Sequence, residues 1–136
     1  MDTLQIKSIL RSAHESLKHS YSPYSEYSVG VAVLIEDGRT FTGTNVENSS
    51  YSLTICAERV AIFKAISEGA KKIVGVAVVC GARNECMPCG ACRQVISEFS
   101  LDAQIVVETS NGTPRVVPLI DLLPQAFSGK DLEKTI

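Results

Sequence analysis

Two cysteine-bearing segments, Cys56-Ala57-Glu58 and Pro88-Cys89-Gly90-Ala91-Cys92, constrain this chain more than any other feature. Cys89 and Cys92 are three apart, so on a helix they share one face and can reach one ion. Pro88 favours a helix start there, and the helix N-terminus lowers thiol pKa values toward the thiolate that binds metal. Cys56 and Glu58 are two apart and would diverge in mid-helix. In a first turn, where side chains tilt toward the N-terminus, both can face an ion seated just off the helix end. The chain must therefore bring two helix N-termini to one point. Three thiolates leave one tetrahedral position open, which is the pattern of a catalytic zinc, and Glu58 would stand beside the water there without ligating the metal. Zinc with three thiolates carries net negative charge, which opposes ionisation of a water. Arg59 and Arg93, each following a ligand segment, are candidates to offset it.

Spacing alone leaves alternatives open. Cys86 could complete a structural four-cysteine site, and Cys86-x2-Cys89-x2-Cys92 also fits part of an iron–sulfur run. Neither accounts for Glu58. Cys86 lies before Pro88, off the face shared by Cys89 and Cys92, and reads as a loop thiol, while Cys80 reads as a small core residue closing an apolar strand. His14 and His19 belong to an N-terminal helix and read as solvated or capping.

The rest of the chain suits a single domain spanning 1–136. Apolar residues make up 45% of it and the formal net charge is -2, with none of the basic stripe that nucleic acid demands. A small, weakly charged substrate is the better expectation. No signal peptide is legible, and the longest apolar runs, Val29–Ile35 and Ile73–Cys80, are strand-length, so neither export nor membrane insertion is expected. Five cysteines, an odd number, fit a reducing cytoplasm and metal binding better than a disulfide framework.

Hydrophobic periodicity predicts a helix over about 4–19, a strand over Tyr27–Ile35, an Asp37-Gly38 hairpin and a second strand near Thr40–Val46. A helix follows at Cys56–Glu68, closed by Gly69, then a buried strand at Ile73–Cys80 and a helix at Cys89–Phe99. Strands at Gln104–Glu108 and about Arg115–Val117 flank an Asn111-Gly112 turn, and Leu119–Leu123 is partly helical. This order predicts an α/β fold, three layers α/β/α around a mixed sheet of about five strands.

Several spaced blocks carry a family resemblance: Tyr24-Ser25-Glu26-Tyr27-Ser28-Val29-Gly30, Asn45-Val46-Glu47-Asn48, Cys56-Ala57-Glu58-Arg59, Pro88 to Val95, and Leu122 to Phe127. Over nearly its whole length the chain resembles the small homotetrameric zinc-dependent cytidine deaminases. Cysteine as first ligand sets it apart from the His-Ala-Glu deaminases. The resemblance implies a cytidine deaminase-like fold, one Zn2+ per subunit, and hydrolytic deamination of cytidine and 2′-deoxycytidine in pyrimidine salvage, with Glu58 as proton shuttle. It implies that Asn45 and Glu47 bond the ribose 3′-hydroxyl, that the Ala57 backbone donates to the pyrimidine carbonyl, and that Tyr27 packs on the base. Phe127 resembles an aromatic lent by a neighbouring subunit and Tyr51 a residue at that shared interface, so active sites would be shared within a homotetramer. One departure is that the Tyr27 position is usually Phe, and a buried hydroxyl needs a partner. Competing readings are a deaminase of a modified cytosine nucleoside such as blasticidin S, and a non-catalytic zinc-binding module.

Overall fold

A computed structural model describes residues 1–82 and 85–132. The N-terminal helix α1 (Thr3–Leu17) starts where Asp2 closes a capping box. Its carboxylate accepts from Gln5 N at 2.8 Å, and Gln5 Oε1 accepts from Asp2 N at 2.9 Å. Strands β1 (Val29–Ile35) and β2 (Thr40–Thr44) form an antiparallel hairpin across the Asp37-Gly38 turn. Helix α2 (Ala57–Ser67), strand β3 (Ile73–Cys80), helix α3 (Gly90–Phe99), strands β4 (Gln104–Glu108) and β5 (Pro114–Pro118) and the short α4 (Leu119–Leu122) follow. Gly69, with φ +93°, allows the left-handed exit from α2.

The five strands form one sheet in the order β2-β1-β3-β4-β5. Every pairing is antiparallel except β3 with β4, which α3 joins as a crossover, so the sheet is mixed as the sequence predicts. Both faces are covered. Ile9, Leu10 and Ala13 of α1 pack on Ala32, Leu34, Ala77, Val79 and Val106. On the opposite face Val31, Val33, Ile35, Val76, Val78, Ile105 and Val107 pack under Ala57, Ala61, Ile62, Ala65 and Ile96. Successive residues of β1 alternate between these two cores, which explains its continuous apolarity. At the far end of the β1–β3 ladder, Leu34 faces Gly75 but Ile35 faces Ile73. Val74 is the extra residue of this bulge, and it lets Ile73 share a face with Val76.

The boundaries near the site differ slightly from expectation. The first strand begins at Val29 because Tyr27 is tied to side chains instead of to the sheet. Tyr27 N donates to Ser25 Oγ (3.0 Å), and its carbonyl accepts from Asn45 Nδ2 (2.7 Å). The second ends at Thr44, and Val46 keeps only isolated bridges to Tyr21 and Ile55. Cys56 and Cys89 stand just outside their helices as N-caps. No helix among the described residues is long and apolar enough to cross a membrane.

Candidate metal centre and active site

Helices α2 and α3 rise from the same sheet face with their N-termini converging. Gly43 of β2 makes this possible, since a Cβ there would lie 2.6 Å from both Ala57 O and Ala61 N. At the junction the Cys56, Cys89 and Cys92 sulfurs all lie within 4.8 Å of one another, with Cys56 and Cys89 separated by 4.0 Å. Tetrahedral zinc with Zn–S about 2.3 Å sets sulfur–sulfur separations of roughly 3.8 Å, so the donor set fits that ion. Neither N-cap cysteine spends its side chain on capping, which leaves both sulfurs available at positive helix ends.

The charges around the sulfurs are uneven. Arg59 Nη2 donates to Cys56 Sγ at 3.1 Å. A hydrogen bond from Cys92, together with Arg59, draws the Cys56 thiol down to about 5. Cys92 moves the opposite way, held protonated by its bond to Cys56, by burial and by the Glu58 charge. Of these two, Cys56 is the thiolate and Cys92 the thiol, and a bound metal would replace the proton that Cys92 holds. Glu58, only 5% exposed, accepts from Cys92 Sγ at 3.6 Å. Burial first, then the Cys56 charge, pushes its carboxyl above the usual range.

One cavity of about 280 Å3 runs outward from this centre. Cys56, Ala57, Glu58 and Cys89 line its inner end, and Ser25, Asn45 and Glu47 its other end. Tyr27, Cys86 and Met87 also line it. Asn45 is buried, and its Oδ1 accepts from Val29 N (2.9 Å) and from Ser20 Oγ. Its oxygen is thereby used internally, and any further contact must come from Nδ2. Glu47 Oε1 accepts from Tyr24 N (2.9 Å) and Ser25 N (3.1 Å), and Oε2 from Ser25 Oγ. Those bonds, the Ser25 hydroxyl foremost, hold its carboxyl below the usual glutamate range. At the cavity's outer end it is an ionised acceptor.

Other sequence-predicted residues stand elsewhere. Arg93 does not face the sulfurs as Arg59 does. Its Nε donates to Pro88 O (2.8 Å) and its Nη1 to Leu122 O (2.9 Å), fastening the turn before Cys89 to α4. Tyr51, 74% exposed, meets Tyr24 with ring centroids 5.8 Å apart, beside the outer end of the cavity. Phe127 is exposed and absent from the cavity lining within this chain, and Gln94 Nε2 holds its carbonyl at 2.9 Å. His14 pairs with Glu108 at 2.8 Å on the α1 side of the sheet. Cys80 Sγ donates to Ala82 O at 3.2 Å.

Two residues acquire places that spacing alone did not assign. Ser25 orders Glu47, and the signal available was its position inside the Tyr24–Gly30 block. Cys86 is buried in the core beneath α2 and lines the cavity, where its thiol lies 3.3 Å from the Tyr27 hydroxyl. Burial pushes the Cys86 thiol up to about 12, so it remains S–H. Its position before Pro88 suggested a loop thiol, and the loop turns it inward.

Residues 4–109 match the family model described as the cytidine and deoxycytidylate deaminase zinc-binding region. A cytidine deaminase of Sporosarcina psychrophila is 42% identical over 130 residues, covering 95% of this chain and 96% of the relative. One from Halalkalibacterium halodurans is 41% identical over 125 residues, covering 91% and 95%. The crystal structure of cytidine deaminase from Burkholderia pseudomallei superposes with a TM-score of 0.84 at 38% identity, over 93% of this chain and all of that one.

Proposed function

Because the chain belongs to the cytidine and deoxycytidylate deaminase family, we propose that its cavity takes cytidine or 2′-deoxycytidine with the base at the thiols and the sugar at Glu47. The protein is a cytidine deaminase, a zinc hydrolase that converts its substrate to the uridine nucleoside and ammonia. The observation that carries the assignment is the single cavity that joins the trithiol centre and Glu58 to Asn45 and Glu47.

Cys56, Cys89 and Cys92 would hold the zinc, which when bound would supply an acidified water as nucleophile. Glu58 takes a proton from the attacking water and delivers it to ring N3, making C4 electrophilic. It then carries the proton of the new C4 hydroxyl to the amino group, which leaves as ammonia as the C4 carbonyl forms. A carboxyl raised by burial suits one group acting as base and then as acid. The Ala57 backbone N–H, at the uncapped first turn of α2, donates to the pyrimidine carbonyl. The Tyr27 ring packs on the base, and Asn45 Nδ2 and Glu47 engage the 3′-hydroxyl as donor and acceptor. Arg59 offsets the thiolate charge by direct contact, and Arg93 acts through the Pro88 turn.

Phe127, exposed on this chain, completes a neighbouring subunit's cavity in a homotetramer, with Tyr51 at the same interface. Five reduced cysteines suit such an enzyme to the cytoplasm.

The test is metal analysis with an ultraviolet deamination assay on cytidine, deoxycytidine and blasticidin S. We expect one zinc per chain and turnover of the first two. Glu58→Gln keeps its zinc and loses roughly a thousandfold or more in kcat. Near-normal turnover in that variant removes Glu58 from the proton path. Light scattering checks the tetramer, and a fully active monomer refutes the shared site.

A further inference from the structure

The wall of the cavity that the thiols and Glu47 also line holds a polar contact that the reaction does not use. The Tyr27 hydroxyl and the Cys86 thiol are 3.3 Å apart. Cys80 is a second hydrogen-bond partner of the same hydroxyl. Cys86 is 7% exposed and packs in the core, so it is a fixed point. Cys80 is fixed as well, as the register partner of Val29 at the end of β3.

The tyrosine backbone is equally constrained. Ser25 Oγ holds its N–H and Asn45 Nδ2 its carbonyl, and both of those residues line the sugar end of the cavity. With the backbone clamped, only the two side-chain torsions remain free, and the bond at the para position restrains χ1, the torsion that swings the whole ring. A phenylalanine ring would keep the apolar face and lose this restraint. The phenol's polar end, satisfied by sulfur in the wall, is kept from presenting an unpaired donor to the base.

We propose that the Tyr27 hydroxyl and Cys86 thiol form a latch that makes Tyr27 a specificity-determining residue, fixing its ring as a rigid wall against which the base is fitted. The proposal rests on the reading of this cavity as a cytosine nucleoside site. A wall held in place rejects a base enlarged by one methyl group, whereas a ring free to swing about χ1 makes room for it.

The experiment compares kcat and KM for cytidine and 5-methylcytidine in zinc-loaded wild type, Tyr27→Phe, Cys86→Ala and the double variant. Thermal unfolding is followed in each. In Cys86→Ala the hydroxyl keeps only Cys80, and KM for cytidine should rise about threefold to tenfold with kcat little changed. The preference for cytidine over 5-methylcytidine should fall by a factor of about three or more in both single variants. Adding Tyr27→Phe to Cys86→Ala should recover part of the KM loss, because the hydroxyl left with one partner of two is removed. Cys86→Ser keeps a hydrogen-bonding group and should recover most of it, which loss of core volume alone does not predict. Additive effects, or an unchanged preference in folded single variants, overturn the latch. Wild type that turns over no cytidine overturns the nucleoside reading itself, and that result is distinct because it precedes any variant.

Discussion

Cys56 and Cys89 stand where helices usually carry serine, threonine or aspartate, and neither hydrogen-bonds its own first turn. Their sulfurs therefore remain available to a metal while the positive ends of α2 and α3 favour the thiolate form. Arg59 adds the only full positive charge that the described residues place on a ligand sulfur. Arg59→Gln should weaken zinc binding by roughly 10–100-fold in competition with a chromophoric chelator, and Arg59→Lys should restore part of it. At the other end of the cavity the Glu47 carboxyl lies below its usual range, so it stays ionised until pH falls through that lowered value. Whatever stability its bonds to Ser25 contribute is present above the unfolded-state pKa and lost below the folded one. KM for cytidine should accordingly stay flat as pH falls toward the ordinary glutamate range and rise only beneath it. Ser25→Ala should move that rise to higher pH in steady-state assays. Glu58, Cys56 and Cys92 were legible because their spacing along the chain is itself the chemical constraint. The Ser25–Glu47 contact was not legible, because it joins residues 22 apart across two loops.

At the scale of elements, the start of α2 depends on how closely β2 lets it approach. Gly43→Ala would push a methyl into the Ala57 carbonyl and the Ala61 amide, costing about 1–3 kcal/mol in urea unfolding. Because the displaced backbone carries Cys56 and Glu58, activity should fall with it. Asp2→Ala offers the contrast. It removes the cap of α1 on the opposite face, so about 1 kcal/mol should be lost while kcat/KM is unchanged. The helices and strands themselves were readable from periodicity, since burial on one or both faces writes itself into local sequence. Their edges near the site were readable only to within a residue or two. Tyr27, Asn45 and the N-cap cysteines have backbones held by side chains or by helix entry, which periodicity does not register.

For the whole molecule, the metal centre is a bridge between two helices that the sheet already supports. The two cores on either face of the sheet close without the ligand cysteines Cys56, Cys89 and Cys92. Chelation should therefore lower the unfolding midpoint and make it depend on free zinc, yet leave far-ultraviolet circular dichroism at 25 °C near that of the holoprotein. Loss of secondary structure on chelation would show instead that zinc is required for folding. By itself the sequence determined the cysteine triad, the glutamate beside it and the three-layer fold, because each is encoded in short spacings or local periodicity. Only the tertiary structure decided that Cys86 lies 59 residues on from Tyr27 yet touches its hydroxyl. It likewise decided that Arg93 reaches across 29 residues to the Leu122 carbonyl and not to a sulfur. Such contacts depend on where packed helices and loops carry side chains from distant parts of the chain, and local backbone preference holds no record of that.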